Sequence, residues 1–351
     1  MRVTIIGAGA IGGTAGAFLH RAGHDVTLVD RDAAHVAAIN RNGLYIDGVE
    51  ELTERVPAIE TSELPALVAR SGPLGMVILA VKAMDTDTAA ELVRPYMADD
   101  GFIVSYQNGL NEERLARIVE PRRVIGAFIH FGADLWEPGH IRLSNRVKTY
   151  ISELDGRDTP RIHEVAGVLS AITPVEITDN LEGYLWGKLC YAALGFAVSI
   201  VDAPVDEVIV DPDARVAIRA VVAEVLDVAK AQGIRLENIH GFEPRLFDRD
   251  DPDRVARTDA LFDRWAEDGK HAVKRHMGIH RDIKVRKRRT EVDFHVGPVV
   301  ERGRGLGVPT PLLELLVEQV HQVESGQRPQ DWSTIHELAA AARRQEAAAG
   351  A

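Results

Sequence analysis

The chain has 351 residues, 46% hydrophobic and 27% charged, which fits a soluble globular protein of about two domains at roughly 150 residues each. Its 41 basic and 53 acidic side chains leave a formal charge of −12, which argues against a phosphate-neutralising surface and so against nucleic acid as a partner. The single cysteine, Cys190, excludes an intramolecular disulfide and a cysteine-based zinc site and fits a reducing cytoplasm, and no run approaches the roughly 18 apolar residues of a membrane span.

The start, residues 1–13, is apolar enough to suggest a signal peptide, but its charged leader is one arginine and its glycines are regularly placed, so it reads as mature structure. Residues 3–6 read as a buried strand, 11–22 as a helix, 24–29 as a second strand and 33–40 as a second helix, together a βαβ unit. Residues 76–81 and 102–106, separated by a helical stretch over 86–97, are near-continuous apolar runs of the kind covered on both faces. The expected fold is therefore α/β, an N-terminal Rossmann-type, doubly wound parallel sheet. Residues 124–131, 139–143 and 148–154 look like added strands closing that sheet. From about residue 180 strand signals fade, and 181–196, 212–232 and 258–288 have helical composition, so a mainly α-helical C-terminal domain is expected. The boundary is placed between 178 and 179, and the Ala-rich end, 337–351, is expected to fray.

Gly7, Gly9 and Gly12, with Ala10 and Ile11 between them, form G-x-G-x-x-G directly after a strand and at the opening of a helix. The first glycine permits the tight turn, the second lets backbone approach a pyrophosphate, and the third lets helix and strand pack closely. The second strand then ends at Asp30, the context that a dinucleotide fingerprint requires. Asp30 suits the ribose hydroxyls of NAD(H), whereas Arg31 suits a 2'-phosphate; the two neighbours pull in opposite directions, and the reading leans to NADP(H) with NAD(H) open.

Three stretches could meet a nicotinamide. Lys82 follows the strand 76–81, and Gln107-Asn108-Gly109 follows 102–106, both at the carboxyl edge where such sites form; an ordinary solvated lysine and a turn dipeptide are the plain alternatives. The third is 182–191, where Lys188 stands among apolar and aromatic neighbours. Desolvation would make its proton easier to give away, which suits a general acid, although a lysine can also snorkel along a core.

Taken in order, G-x-G-x-x-G, Val81-Lys82, Gln107-Asn108-Gly109, Trp186-x-Lys188, Arg289-Thr290-Glu291-Val292-Asp293 and the prolines Pro309 and Pro311 resemble the ketopantoate reductase (2-dehydropantoate 2-reductase) family over nearly the whole chain. The resemblance implies an NAD(P)-binding Rossmann domain over 1–178, a helical substrate and dimerisation domain over 179–351, an active site between them, and hydride transfer from NADPH to a 2-oxo acid. By position it implies Lys188 as the acid that protonates the carbonyl oxygen, Glu291 as the carboxylate that holds the lysine, and Asn108 as a group placing substrate and nicotinamide. Asp282 would match a substrate-binding aspartate.

The chain departs from that family where substrate is bound. Ala192 and Phe196 stand one and two helical turns after the lysine, where the family places asparagines, and Gly278 stands in place of a serine. The reaction type therefore carries over better than the substrate, which is expected to be more apolar or larger than ketopantoate. His130 and His280 become candidate polar contacts, the latter with His271 and His276 on one expected helix; no metal site is expected, because the H-E-x-x-H pattern is absent. The basic run at Lys284, Arg286, Lys287, Arg288 and Arg289 reads as a solvated face or as an attractor for anions. Imine reduction, hydroxy-acid oxidation and a non-catalytic dinucleotide sensor are the competing functions, and a homodimer through the helical half is an expected assembly.

Overall fold

The structure, a computed structural model, describes residues 1–239, 241–270 and 275–349. The chain divides into two compact units, Met1–Leu181 and Glu182–Ala351.

The first unit opens as β1 (Arg2–Ile6), α1 (Ala10–Arg21), β2 (Asp25–Asp30), α2 (Ala33–Asn42), β3 (Leu44–Gly48), β4 (Leu52–Glu54) and β5 (Ala58–Glu60). It continues through α3 (Leu64–Ser71), β6 (Leu74–Leu79), α4 (Thr86–Val93), β7 (Met97–Ser105), α5 (Glu112–Val119) and β8 (Val124–Phe128). It closes with β9 (Ala133–Glu137), β10 (His140–Leu143), β11 (Thr149–Glu153), α6 (Pro160–Leu169) and β12 (Val175–Ile177).

An eight-stranded sheet has the order β12-β11-β8-β7-β6-β1-β2-β5. From β5 to β8 every neighbouring pair is parallel, and β11 runs antiparallel to β8. The apolar runs of β1 and β6 have a direct cause: successive side chains go to opposite faces, and both faces are covered. Val3, Ile5, Met76 and Ile78 join one apolar core, whereas Ile6, Val77 and Leu79 join the other.

Two expectations need correction here. Residues 139–143 do not close the large sheet: β10 lies in a separate four-stranded sheet, β4-β3-β10-β9, with Ile141 opposite Ile46. That sheet lies on α1, whose Gly13 leaves room for Ile141 and Leu44; a Cβ there would lie 2.5 Å from Ile141 Cδ1. The helix expected over 86–97 ends at Val93, because Pro95 forces a tighter turn and Met97 already starts β7.

The second unit is helical among its described residues. It carries α7 (Leu181–Ser199), whose first residue belongs to the first unit, then α8 (Val205–Val208), α9 (Pro212–Ala231), α10 (Arg254–Lys270), α11 (Gly278–Lys284), α12 (Val292–His295), α13 (Gly297–Leu306), α14 (Pro311–Glu324) and α15 (Trp332–Ala349). Residues 258–288 are not one helix: α10 ends at Lys270, and Met277, in extended backbone, precedes the start of α11. His276 consequently lies before α11 rather than on it, and His271 lies outside the described residues. A buried acid organises the core, since Glu224 of α9 accepts the N–H groups of Leu312 and Leu313 at 2.9–3.2 Å and so caps α14. Burial pushes its carboxyl up to about 7.

Candidate functional site

The turn between β1 and α1 sits where the strand order reverses, with β2 on one side of β1 and β6 on the other. In such sheets ligands bind at this switch point, beyond the carboxyl ends of the strands. Gly7 takes φ +92°, and a Cβ on it would meet Val81 Cγ1 at 2.9 Å and the Ala80 backbone at 3.0 Å. A Cβ on Gly12 would lie 1.9 Å from the Gly7 carbonyl oxygen, so helix and turn touch there. Gly9 differs, because no atom of the described residues beyond its chain neighbours lies within 4 Å of where its Cβ would stand. Gly9, the N-cap of α1, has no side chain to cap the helix start, and among the described residues no side chain accepts the N–H groups of Ala10 and Ile11. An open backbone face at an uncapped helix start fits a dinucleotide pyrophosphate.

Asp30 braces that turn. Its Oδ2 accepts the Ala8 N–H at 2.6 Å and its Oδ1 accepts the Asp32 N–H at 2.9 Å. Arg31 extends from the same strand end and forms a two-pronged ion pair with Asp85, at 3.0 and 3.1 Å. Below the turn, buried His35 lies 2.9 Å through Nε2 from the Ala8 carbonyl, while its Nδ1 accepts the Gly139 N–H at 2.9 Å. Because Nδ1 accepts, the proton is on Nε2, which donates to Ala8.

At the same sheet edge, Lys82 is exposed at the head of the turn after β6, and Asn108 is half-buried after β7. Gln107 is 3% exposed; its Nε2 donates to the Val81 carbonyl at 2.8 Å and to Thr86 Oγ1 at 2.9 Å, while its Oε1 has no hydrogen-bond partner among the described residues. Asn111 Nδ2 donates to the Asn108 carbonyl at 2.7 Å and fixes the loop. Glu112 in turn accepts the Asn111 N–H at 3.0 Å, and burial pushes its carboxyl up to about 7. His130 follows β8 and stacks on Phe128, with ring centroids 5.8 Å apart. Lys82, Gln107, Asn108 and His130 thus follow three mutually parallel strands, β6, β7 and β8, of one sheet.

In the helical unit, Lys188 sits on α7 and is half-buried. Burial lowers its ammonium to about 8, and the carboxylate of Glu291 opposes that shift. Glu291 is 8% exposed and immediately precedes α12. Phe196, two turns after the lysine, is buried with its ring edge-on to His295 at 6.0 Å, and Ala192 is half-buried. Asp282 Oδ1 holds two guanidinium groups, Arg286 and Arg288, each at 2.9 Å. His280 Nε2 lies 2.9 Å from Asp202 Oδ1, and Lys284 reaches the other oxygen of that carboxylate at 2.6 Å. The basic run is therefore largely engaged with acids. Cys190 is fully buried, which pushes its thiol up and away from nucleophilic use. No metal-ligating cluster occurs among the described residues.

His35, Asp85, Asn111 and Glu112 are residues the sequence did not single out. Asn111 and Glu112 could have been suspected from their closeness to Asn108, but His35 reaches a partner 104 positions away, and no local pattern announces such a contact.

A parallel order of β5-β2-β1-β6-β7-β8, with a glycine turn at its switch point, defines a dinucleotide-binding protein of the Rossmann class. The comparisons with known proteins sharpen this. The family described as ketopantoate reductase PanE/ApbA matches residues 3–156, and its C-terminal counterpart matches residues 180–324. The 2-dehydropantoate 2-reductase of Archaeoglobus fulgidus is 29% identical over 328 residues, 93% of this chain and 98% of that protein. A crystal structure of a PanE/ApbA family ketopantoate reductase from Ralstonia eutropha JMP134 is 30% identical, with a TM-score of 0.76 over 93% of this chain and 99% of that one. D-mandelate dehydrogenase, solved with NADH and anilino(oxo)acetate, shares the fold at 24% identity, with a TM-score of 0.78 over 93% of this chain and 99% of its own. The chain belongs to the ketopantoate reductase family and is an NAD(P)H-dependent oxidoreductase of that type.

Proposed function

We propose that the chain reduces the ketone of a 2-oxo acid to a 2-hydroxy acid, with ketopantoate or a more apolar relative as substrate. The observation that carries the reading is Lys188, a desolvated ammonium poised near neutral pH in the field of Glu291. A bound nicotinamide supplies hydride to the carbonyl carbon. The chain's own residues do the rest. Gly7, Gly9, Ala10, Ile11 and Gly12 hold the pyrophosphate through backbone N–H groups, and Asp30 accepts from the adenosine ribose. Lys82 and Gln107 face the cofactor, the latter with its unpartnered amide oxygen. Asn108 positions the reacting groups. Lys188 donates to the carbonyl oxygen, stabilises the negative charge that develops there and passes its proton to it, giving the hydroxyl. Glu291 keeps the lysine protonated.

Asp282, His130 and His280 are proposed to contact the substrate, Asp282 through the two guanidinium groups it already holds. Ala192 and Phe196 supply apolar surface, which supports a bulkier acid. Both NADP(H), through Arg31, and NAD(H), through Asp30, are accepted, with the phosphorylated form favoured. The lone buried thiol supports a cytoplasmic setting. The helical unit leaves Val210, Leu306 and Trp332 exposed, which supports assembly as a homodimer. The test is turnover followed by nicotinamide absorbance, with ketopantoate and a series of aliphatic and aryl 2-oxo acids. Reduction of at least one member is expected; inactivity toward all of them, with turnover of imines, overturns the assignment.

A further inference from the structure

Arg31 extends from the end of β2, and Asp85 closes the turn that follows β6, so their ion pair joins the two strands flanking β1 at the carboxyl edge. One N–H of each terminal guanidinium nitrogen is spent on the two oxygens of Asp85, at 3.0 and 3.1 Å, which leaves Nε–H and one N–H on each terminal nitrogen. Asp85 is the more sheltered partner, 29% exposed against 75%, and its own N–H is tied to the Lys82 carbonyl at 2.8 Å. The carboxylate is thus the anchored half of the pair and the guanidinium the extended half.

Guanidinium recognises a 2'-phosphate through paired N–H groups, and here that phosphate would share Arg31 with a carboxylate that already neutralises it. The phosphate would have to weaken the Arg31–Asp85 pair or divide the charge of Arg31 with that carboxylate. An unphosphorylated ribose makes neither demand, since its hydroxyls donate to an acceptor such as Asp30. We infer that Asp85 is a specificity-determining residue that, by holding Arg31, restrains the preference of this chain for NADP(H) over NAD(H). This rests on the proposed dinucleotide site at the β1–α1 turn.

The experiment is fluorescence titration of the full-length protein with NADPH and with NADH, for the parent chain, Asp85→Asn, Arg31→Ala and the double variant. Asp85→Asn is expected to lower the ratio of the NADPH Kd to the NADH Kd by roughly two- to fivefold, the scale of one competing exposed ion pair. In the Arg31→Ala background the same substitution should move the ratio less than about twofold, because the two residues act through one contact. An unmoved ratio in Asp85→Asn, or an equal shift with Arg31 removed, overturns the role of Asp85 while leaving the dinucleotide site standing. Binding of neither cofactor by the parent chain overturns both. Asp85→Ser supplies the same comparison if the amide variant does not fold.

Discussion

Asp30 accepts the Ala8 N–H at 2.6 Å, so the acid at the end of the second strand is also the brace of the glycine turn after the first. Its other oxygen accepts the Asp32 N–H. Replacing Asp30 by Ala leaves two backbone donors without their acceptor and should cost about 1–3 kcal/mol of stability. Cofactor affinity should fall for NADH and NADPH alike, because the turn itself loosens. Thermal melts and titrations on the same preparation check both effects; a loss confined to NADH would reduce Asp30 to a ribose ligand alone.

The glycines of the turn should separate folding from binding. Gly9 has open space where a methyl group would stand and φ −61°, so Gly9→Ala should change stability by no more than about 0.5 kcal/mol while weakening cofactor binding at least tenfold. Gly12→Ala drives a Cβ into the Gly7 carbonyl and should lose both binding and stability. Equal melting temperatures for Gly12→Ala and the parent chain would contradict the packing described.

Glu112 predicts a pH dependence of stability. Its carboxyl is raised from 4.5 to about 7 in the folded chain, so the folded state binds the proton more tightly than the unfolded state does. The associated stability is fully present below about pH 4.5 and is lost as pH rises through about 7. Glu112→Gln removes that dependence, and should stabilise the protein at pH 8 by up to about 3 kcal/mol relative to its effect at pH 4. Melting temperatures of parent and variant across that range measure the difference; parallel curves would contradict a neutral buried acid.

The Rossmann half is legible in the sequence because its signals are local: apolar runs four to six residues long and glycines at fixed spacing beside them. The small sheet is not, since β4 and β9 are short and half exposed, and β10 pairs with β3 across nearly a hundred positions. Lys188 is open to reading from its apolar and aromatic neighbours, although a snorkelling lysine looks the same, whereas Glu291 is readable only through resemblance, because no local pattern distinguishes it from a surface carboxylate. Asp282 shows the opposite limit. Its pairing with Arg286 follows i, i+4 spacing and was open to reading, whereas its pairing with Arg288 depends on the chain bending back after α11. The pairing of Arg31 with Asp85 spans 54 positions and required coordinates.

Glu291 should be visible in the pH profile. Its carboxylate raises the lysine's proton affinity against desolvation, so Glu291→Gln should move Lys188 further below about 8. The limb on which kcat falls with rising pH should then shift to lower pH, with activity partly retained at its acid end. A profile that drops in height without moving would assign Glu291 a structural role instead.

Whether Lys188 is the proton donor is decided by Lys188→Ala, with turnover of the best 2-oxo acid and NADPH affinity measured on the same protein. A proton donor at this position requires kcat to fall on the order of 100- to 10,000-fold with the cofactor Kd within about threefold of the parent value. Turnover within tenfold of the parent chain, at unchanged cofactor affinity, would contradict it.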